Sequence, residues 1–302
     1  MLSRVLYYCI LLPVSWLPMW ILLRVSDVFS AFLFYIFPYR KKVIVTNLRN
    51  SFPEKSDGEI RKIMRKFYTH FCDLLLETVK GFSMSYSEAS KRMVSKDRQV
   101  VDKYAEAGRH CLVVCGHFGN WELLVLASKS VMKGTLLGIY KKLNDPFFER
   151  KMKHIRGRYG TALLNTEEFK NKFREYLNHD ERYVLALIMD QAPFKKRRAY
   201  WTTFLNQDTP VLFGPERYAK EYDLPVVYGK IAKVKRGYYE VSFEDLVPEP
   251  RETEYGEITE KMTRRLEKDI IDQPEHWLWS HKRWKHTRPP EHELKQFTRS
   301  QE

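Results

Sequence analysis

The chain has 302 residues, of which 44% are hydrophobic and 14% aromatic, so it can supply the packed core of one large α/β domain or two small ones. Its formal charge of +14 suits an anionic partner: nucleic acid, an acidic carrier protein or an anionic membrane surface. There is no internal repeat, no RNA-recognition or helix-turn-helix signature, and no G-x-S-x-G elbow of a serine hydrolase.

In chain order, Val5 to Leu23 is apolar apart from Ser15, with Arg4 before it and Arg24 after it. A second apolar run reaches Phe37 and is closed by Arg40, Lys41 and Lys42. The stretch is too long for the core of a cleaved signal peptide and carries no A-x-A-like site. Residues 1–42 therefore read as a membrane-associated segment, and residues 43–302 as the domain that does the chemistry. About 20 apolar residues suffice to cross a bilayer. Pro13 and Pro18 would kink such a helix, so a hairpin or a tilted, embedded segment is equally compatible. The flanking basic residues favour the cytoplasmic side.

Residues 59–79 have the spacing of an amphipathic helix, with Ile60, Ile63, Phe67, Phe71 and Leu74 on one stripe. Strands are expected over 112–115, 135–140, 183–189, 225–232 and 238–243, and helices over 121–131, 146–159, 167–178, 214–221 and 256–271. Strands alternating with helices imply an α/β fold: a mostly parallel sheet flanked by helices. The tail after Pro289 is polar. Cys9, Cys72, Cys111 and Cys115 lack metal-ligand spacing and read as buried free thiols of a reducing compartment.

The candidate chemistry lies after the first of these strands, in His117-Phe118-Gly119-Asn120-Trp121-Glu122. A strand, a glycine-bearing turn and a helix bring a histidine to the carboxyl edge of a sheet, where open α/β folds bind ligands. Histidine titrates near neutrality and takes a proton from a hydroxyl. A carboxylate on its other ring nitrogen would fix the tautomer, and Glu122 is the candidate for that role. No serine or cysteine stands between them, so the attacking group belongs to a substrate. Gly119 allows close backbone approach to a ligand, and Asn120 stands either to cap the helix or to donate to a substrate. Asp190 and Gln191 end another apolar strand and would point into the same crevice, or else cap the loop that follows. Arg156 and Arg158 end a helix, where a cation also compensates the helix dipole. Lys195-Lys196-Arg197-Arg198 reads as a solvated face, or as a phosphate or membrane contact with Tyr200-Trp201 at the interface. His276, His281 and His286 recur every five residues, a spacing that does not line one helical face, so they are not read as zinc ligands. The surrounding Trp-Leu-Trp-Ser-His-Lys-Arg-Trp reads as core packing with a basic edge.

His117 to Glu122 resembles the His-x4-Asp/Glu motif of the lysophospholipid acyltransferase superfamily. Four further blocks resemble one branch, the late (secondary) acyltransferases of lipid A biosynthesis. They are Asn47-Leu48-Arg49-Asn50-Ser51-Phe52-Pro53; Asn144-Asp145-Pro146 with Arg156-Gly157-Arg158-Tyr159-Gly160; Asp190-Gln191; and the segment from Pro274 to Lys285. The resemblance implies a glycerolipid acyltransferase-like fold in the bacterial inner membrane, its catalytic domain facing the cytoplasm. It implies His117 as general base with Glu122 as its orienter. Arg158 in preference to Arg156 would contact a substrate phosphate or the oxyanion, and Gly119, Asn120, Asp190 and Gln191 would line the substrate. The implied reaction needs no cofactor or metal. A fatty acyl chain passes from an acyl carrier protein thioester, or acyl-CoA, to a hydroxyl of a glycolipid acceptor at the membrane surface; aminolipid, mannosyl lipid and lysophospholipid acceptors stay open. Nucleic acid is not an expected partner, and the alternative of another class is a basic membrane-binding protein without turnover.

Overall fold

The computed structural model describes residues 1–193, 199–290, 292 and 294. Among the described residues nine strands are formed: β1 Met93–Ser95, β2 Cys111–Cys115, β3 Thr135–Tyr140, β4 Ala162–Asn165, β5 Tyr183–Ile188, β6 Tyr200–Phe204, β7 Gln207–Val211, β8 Val226–Lys235 and β9 Tyr238–Val247. Seven of them build one sheet in the order β1-β9-β8-β2-β5-β3-β4, and β6 and β7 form a separate hairpin. The run from β8 through β2, β5 and β3 to β4 is parallel. Only the β8–β9 hairpin reverses direction within this sheet, and β1 follows β9 in parallel.

Every residue of β2 is buried. Its side chains alternate between two cores: Leu112 and Val114 join one cluster with Phe67, Leu185 and Leu266, whereas Cys111 and Val113 join another with Leu126, Val184 and Val227. A strand whose alternate residues are both buried needs cover on both faces, which explains an uninterrupted apolar run. Helices Asp57–Lys80, Trp121–Val131, Pro146–Gly157, Thr166–Leu177, Gly214–Tyr222 and Glu257–Asp272 supply that cover. They match the expected helices to within two residues at each end. The expected strands over 112–115 and 135–140 also hold, while β8 and β9 run several residues further than the sequence suggested. β1 and β4 are too short for a periodic signal, and Gln207–Val211 carries a proline and polar residues, so it did not read as a strand.

The N-terminal segment folds as two helical stretches broken at Leu17–Pro18, where Leu17 adopts extended backbone (ψ 142°) as the residue before a proline must. The carbonyls freed at the break are taken up by the body. Lys80 Nζ donates to Ser15 O and Leu17 O, both at 3.1 Å, and Ser83 Oγ donates to Ser15 O at 2.6 Å. Helix Asp57–Lys80 starts in a capping box between Ser56 and Glu59 and presents a buried polar row of His70, Asp73, Glu77 and Lys80. Three of the cysteines are buried as expected, but Cys9 is exposed, because it lies on the outer side of the N-terminal segment.

Candidate active site

Register brings the central pair together. β2 and β5 pair in parallel with Cys115 opposite Ile188, and His117 and Asp190 each lie two residues beyond these strand ends, which sets them side by side. His117 Nδ1 lies 2.6 Å from Asp190 Oδ1. Asp190 Oδ2 accepts from the His117 backbone N–H at 2.8 Å and from the Trp277 indole N–H at 2.7 Å. Burial pushes the Asp190 carboxyl up, but the facing His117 imidazole and these three hydrogen bonds more than offset it and hold it at about 2. The carboxylate is therefore ionised at neutral pH, the proton of a neutral ring resides on Nδ1, and Nε2 presents a lone pair. Consistent with that tautomer, the Gln191 side-chain amide stands 3.2 Å from His117 Nε2. Gln191 is exposed, so a substrate hydroxyl can replace it. Trp121 packs edge-on against the imidazole at 4.9 Å.

A C-terminal strap holds this pair from outside. Trp277 bridges Phe118 in antiparallel fashion, and Gly119 N donates to His276 O at 3.3 Å. Asn47 Nδ2 reaches from the N-terminal side of the chain to Trp279 O and His281 O, each at 3.0 Å. Ala192 N donates to His281 Nε2 at 3.2 Å, a bond that requires an unprotonated nitrogen, and burial pushes the His281 pKa down to about 4. His286 Nε2 contacts Pro193 O at 2.9 Å. His281 and His286 of the strap thus brace the loop after Asp190. Among the described residues no group of three or more His, Cys, Asp or Glu is arranged to hold a metal ion.

The family model of the bacterial lipid A biosynthesis acyltransferases matches residues 1–286. The chain belongs to this family. No curated protein sequence matches it.

Within this acyltransferase the other expected site residues are placed as follows. Glu122 does not reach the His117 ring. It sits in the first turn of helix Trp121–Val131 and pairs with Arg156 in a two-pronged ion pair, at 2.9 Å to Nε and 2.5 Å to Nη2. A planar guanidinium matches both oxygens of a carboxylate at once. The role expected of Glu122 at the imidazole is filled by Asp190. The Glu122–Arg156 pair rims a small cleft floored by Leu126, Met152 and Ile155. Arg158 spends its guanidinium on the carbonyls of Gly81, Phe82 and Met84, at 2.8–3.0 Å, so it ties the end of its helix to the loop after helix Asp57–Lys80. Asn120 does cap the helix, accepting from Leu123 N at 2.8 Å, and its amide donates to buried Glu77 at 2.6 Å, where a substrate was the alternative expected. Gly119 has φ +66°, and a Cβ there would lie 2.3 Å from Ile231 O. The close approach that demands glycine is to β8, where a ligand was expected. Tyr200 and Trp201 are buried in the hairpin and do not form an interface. Lys195 to Arg198 lie outside the described residues.

Two contacts around the His117 imidazole do not follow from the sequence pattern. Asp190 was expected as a substrate contact, and Trp277 as core packing alone. The available signal was the equal offset of His117 and Asp190 past the ends of two apolar strands, which becomes a contact only if those strands are parallel neighbours in that register.

Proposed function

We propose that this family member is an O-acyltransferase that moves a fatty acyl chain from an acyl carrier protein thioester to a hydroxyl of a lipid A precursor, the secondary acylation that forms an ester on an already attached acyl chain. It works at the cytoplasmic face of the bacterial inner membrane. The single observation that carries the reading is the His117 imidazole, with one nitrogen on a buried, ionised carboxylate and the other covered only by the exposed Gln191 amide at the carboxyl edge of the sheet.

In this mechanism His117 Nε2 removes the proton of the acceptor hydroxyl as its oxygen attacks the thioester carbonyl. The charge that appears on the imidazole is stabilised by Asp190, which stays ionised. The tetrahedral intermediate collapses by breaking the carbon–sulfur bond, and the leaving thiolate takes the proton from His117. The thioester is already activated, so the protein supplies base catalysis and positioning, with base catalysis worth about 10²–10⁴-fold. The net charge of +14 suits both an acidic carrier protein and a phosphorylated acceptor.

The test is transfer of labelled acyl chain from carrier-protein thioester, and separately from acyl-CoA, to a purified lipid A precursor that carries a hydroxyacyl chain. The wild-type protein should form product with the carrier thioester, and His117→Ala should not, with an unchanged thermal midpoint. Wild-type rates in His117→Ala would end the mechanism.

A further inference from the structure

Helix Met19–Ile36 is long and apolar enough to cross a membrane, with a mean hydropathy of 1.6. Its burial pattern does not suit a spanning helix. The side facing the protein carries Ser26 and Ser30 among Met19, Leu22, Leu33 and Phe34, all buried. Ser26 donates to Asp73 at 2.7 Å. Arg236 pairs with Asp27 at 2.8 Å and donates to Leu23 O at 3.1 Å, while also holding Asp73. Lys80 and Ser83 hold the preceding break. The segment is therefore tied to the body along its length, from Ser15 to Asp27.

The outward side is the reverse. Trp16, Trp20, Val25, Val28, Phe32, Tyr35, Ile36 and Phe37 are all exposed. Of the 23 exposed large hydrophobic residues among those described, 16 fall within the first 39 positions and 7 in all the rest. Basic residues flank this face: residues 1–42 contain Arg4, Arg24, Arg40, Lys41 and Lys42 against one acid, Asp27.

We propose that residues 1–39 lie flat in the cytoplasmic leaflet of an anionic bilayer, polar side on the body and apolar side among the acyl chains, and do not cross the membrane. The inference rests on the membrane setting proposed above and adds the orientation. Two physical arguments carry it. Spanning would put Asp27 near the centre of the 18-residue stretch, where a charged side chain costs about 2.5–3.5 kcal/mol on insertion scales. It would also drag Asp73 and Arg236 to the same depth, since they are bonded to that point of the helix, and with them Lys233, which is bonded to Asp73. Lying in the plane buries the exposed aromatic and aliphatic face, lets Arg24 extend to the headgroups, and uses the basic flank on anionic lipid. It also holds the body, with its site, close to the interface where a lipid acceptor resides.

The experiment uses the full chain with a short epitope ahead of Met1 and a reporter cysteine at exposed Asp180 in a Cys9→Ser background. Sealed inner-membrane vesicles of both orientations are treated with protease and with a membrane-impermeant maleimide. The expected result is that epitope and Asp180→Cys react from the same face. Reaction from opposite faces overturns the in-plane orientation while leaving membrane association intact. A second arm measures sedimentation with phosphatidylcholine vesicles, with and without phosphatidylglycerol. Binding should need the anionic lipid, brominated acyl chains should quench Trp16 and Trp20, and Val28→Asp with Ile36→Asp should weaken binding at least tenfold with the thermal midpoint retained. Failure of the wild type to bind either vesicle overturns the membrane reading itself, as does self-association through this face in place of vesicle binding.

Discussion

Asp190 and Asp73 are both buried carboxylates bound by several donors, yet they are built for opposite ends. Asp73 is held by Lys233 at 2.8 Å, by Arg236 through two nitrogens at 2.6 and 3.0 Å, and by Ser26. Burial pushes its carboxyl up, and the two cations more than offset this and lower it. Asp190 instead receives an indole, a backbone amide and an imidazole. The first arrangement is electrically closed: two cations meet the charge. In the second, the partner is an imidazole, whose positive form a carboxylate stabilises. A carboxylate saturated by arginine and lysine fastens an element. One facing a titratable ring makes that ring a better base.

The comparison breaks most sharply at Asp190→Asn. The amide preserves shape but cannot stabilise an imidazolium and favours the wrong tautomer, so turnover should fall on the order of 10³–10⁴-fold with little loss of fold. A rate within tenfold of wild type, in the acyl-transfer assay, would show that Asp190 is no more catalytic than Asp73.

The mirror experiment is Asp73→Ala. Removing this buried partner leaves Lys233 without its ion pair, while half-buried Arg236 keeps Asp27, and should cost about 3 kcal/mol of stability. It should also loosen the N-terminal segment, while the turnover of molecules that remain folded stays within a few-fold of wild type. Chemical denaturation followed by tryptophan fluorescence reads the first effect, and active-site-normalised kinetics the second.

Trp277→Phe sharpens the contrast at smaller cost. It keeps the ring packed among Phe204, Trp279 and Trp284 but removes the N–H that fixes Asp190 Oδ2. About tenfold in kcat with unchanged KM for the carrier thioester is expected, since one hydrogen bond to a charged group is worth about 1.5–3 kcal/mol. An equal loss for a phenylalanine at Trp279, whose indole bonds only Pro274 O, would make both effects ones of packing.

The smallest effect is on acid stability. The folded pKa values of His276 and His281 are depressed from 6.5 to about 4, burial being the main cause in each. The unfolded chain takes up these protons first, so their contribution to stability is complete above pH 6.5 and is lost as the pH falls towards 4. Asp190 acts in a lower window, its contribution being complete above about 3.8 and lost as the pH falls to about 2. Denaturation midpoints should therefore decline from pH 7 to pH 4.5, and His281→Gln should flatten part of that decline. A midpoint flat over this range would mean that the strap does not depend on neutral histidines.

Much of this protein was legible without coordinates. The strands of the parallel core and the helices over them follow from local periodicity, because an apolar run of five or six residues and a stripe at helical spacing each specify burial by themselves. The five sequence blocks pointed to the family whose model the chain matches. The carboxylate partner of His117 was not legible. His117 and Glu122 are close in sequence and on one turn, but helix Trp121–Val131 carries Glu122 to Arg156, 34 positions away. Asp190 lies 73 positions from His117 and meets it only through the pairing of β2 with β5. The same holds for the N-terminal segment. Its hydropathy is a sum over residues and reads equally well as a spanning helix. Which of its faces is covered depends on Asp73, Lys80 and Arg236, which reach it from elsewhere in the chain. Local sequence determines what each element is, because propensity and burial pattern act within a few residues. Which carboxylate serves the histidine, and which side of the apolar helix is left open, are decided by contacts between distant segments, and only the tertiary structure brings those together.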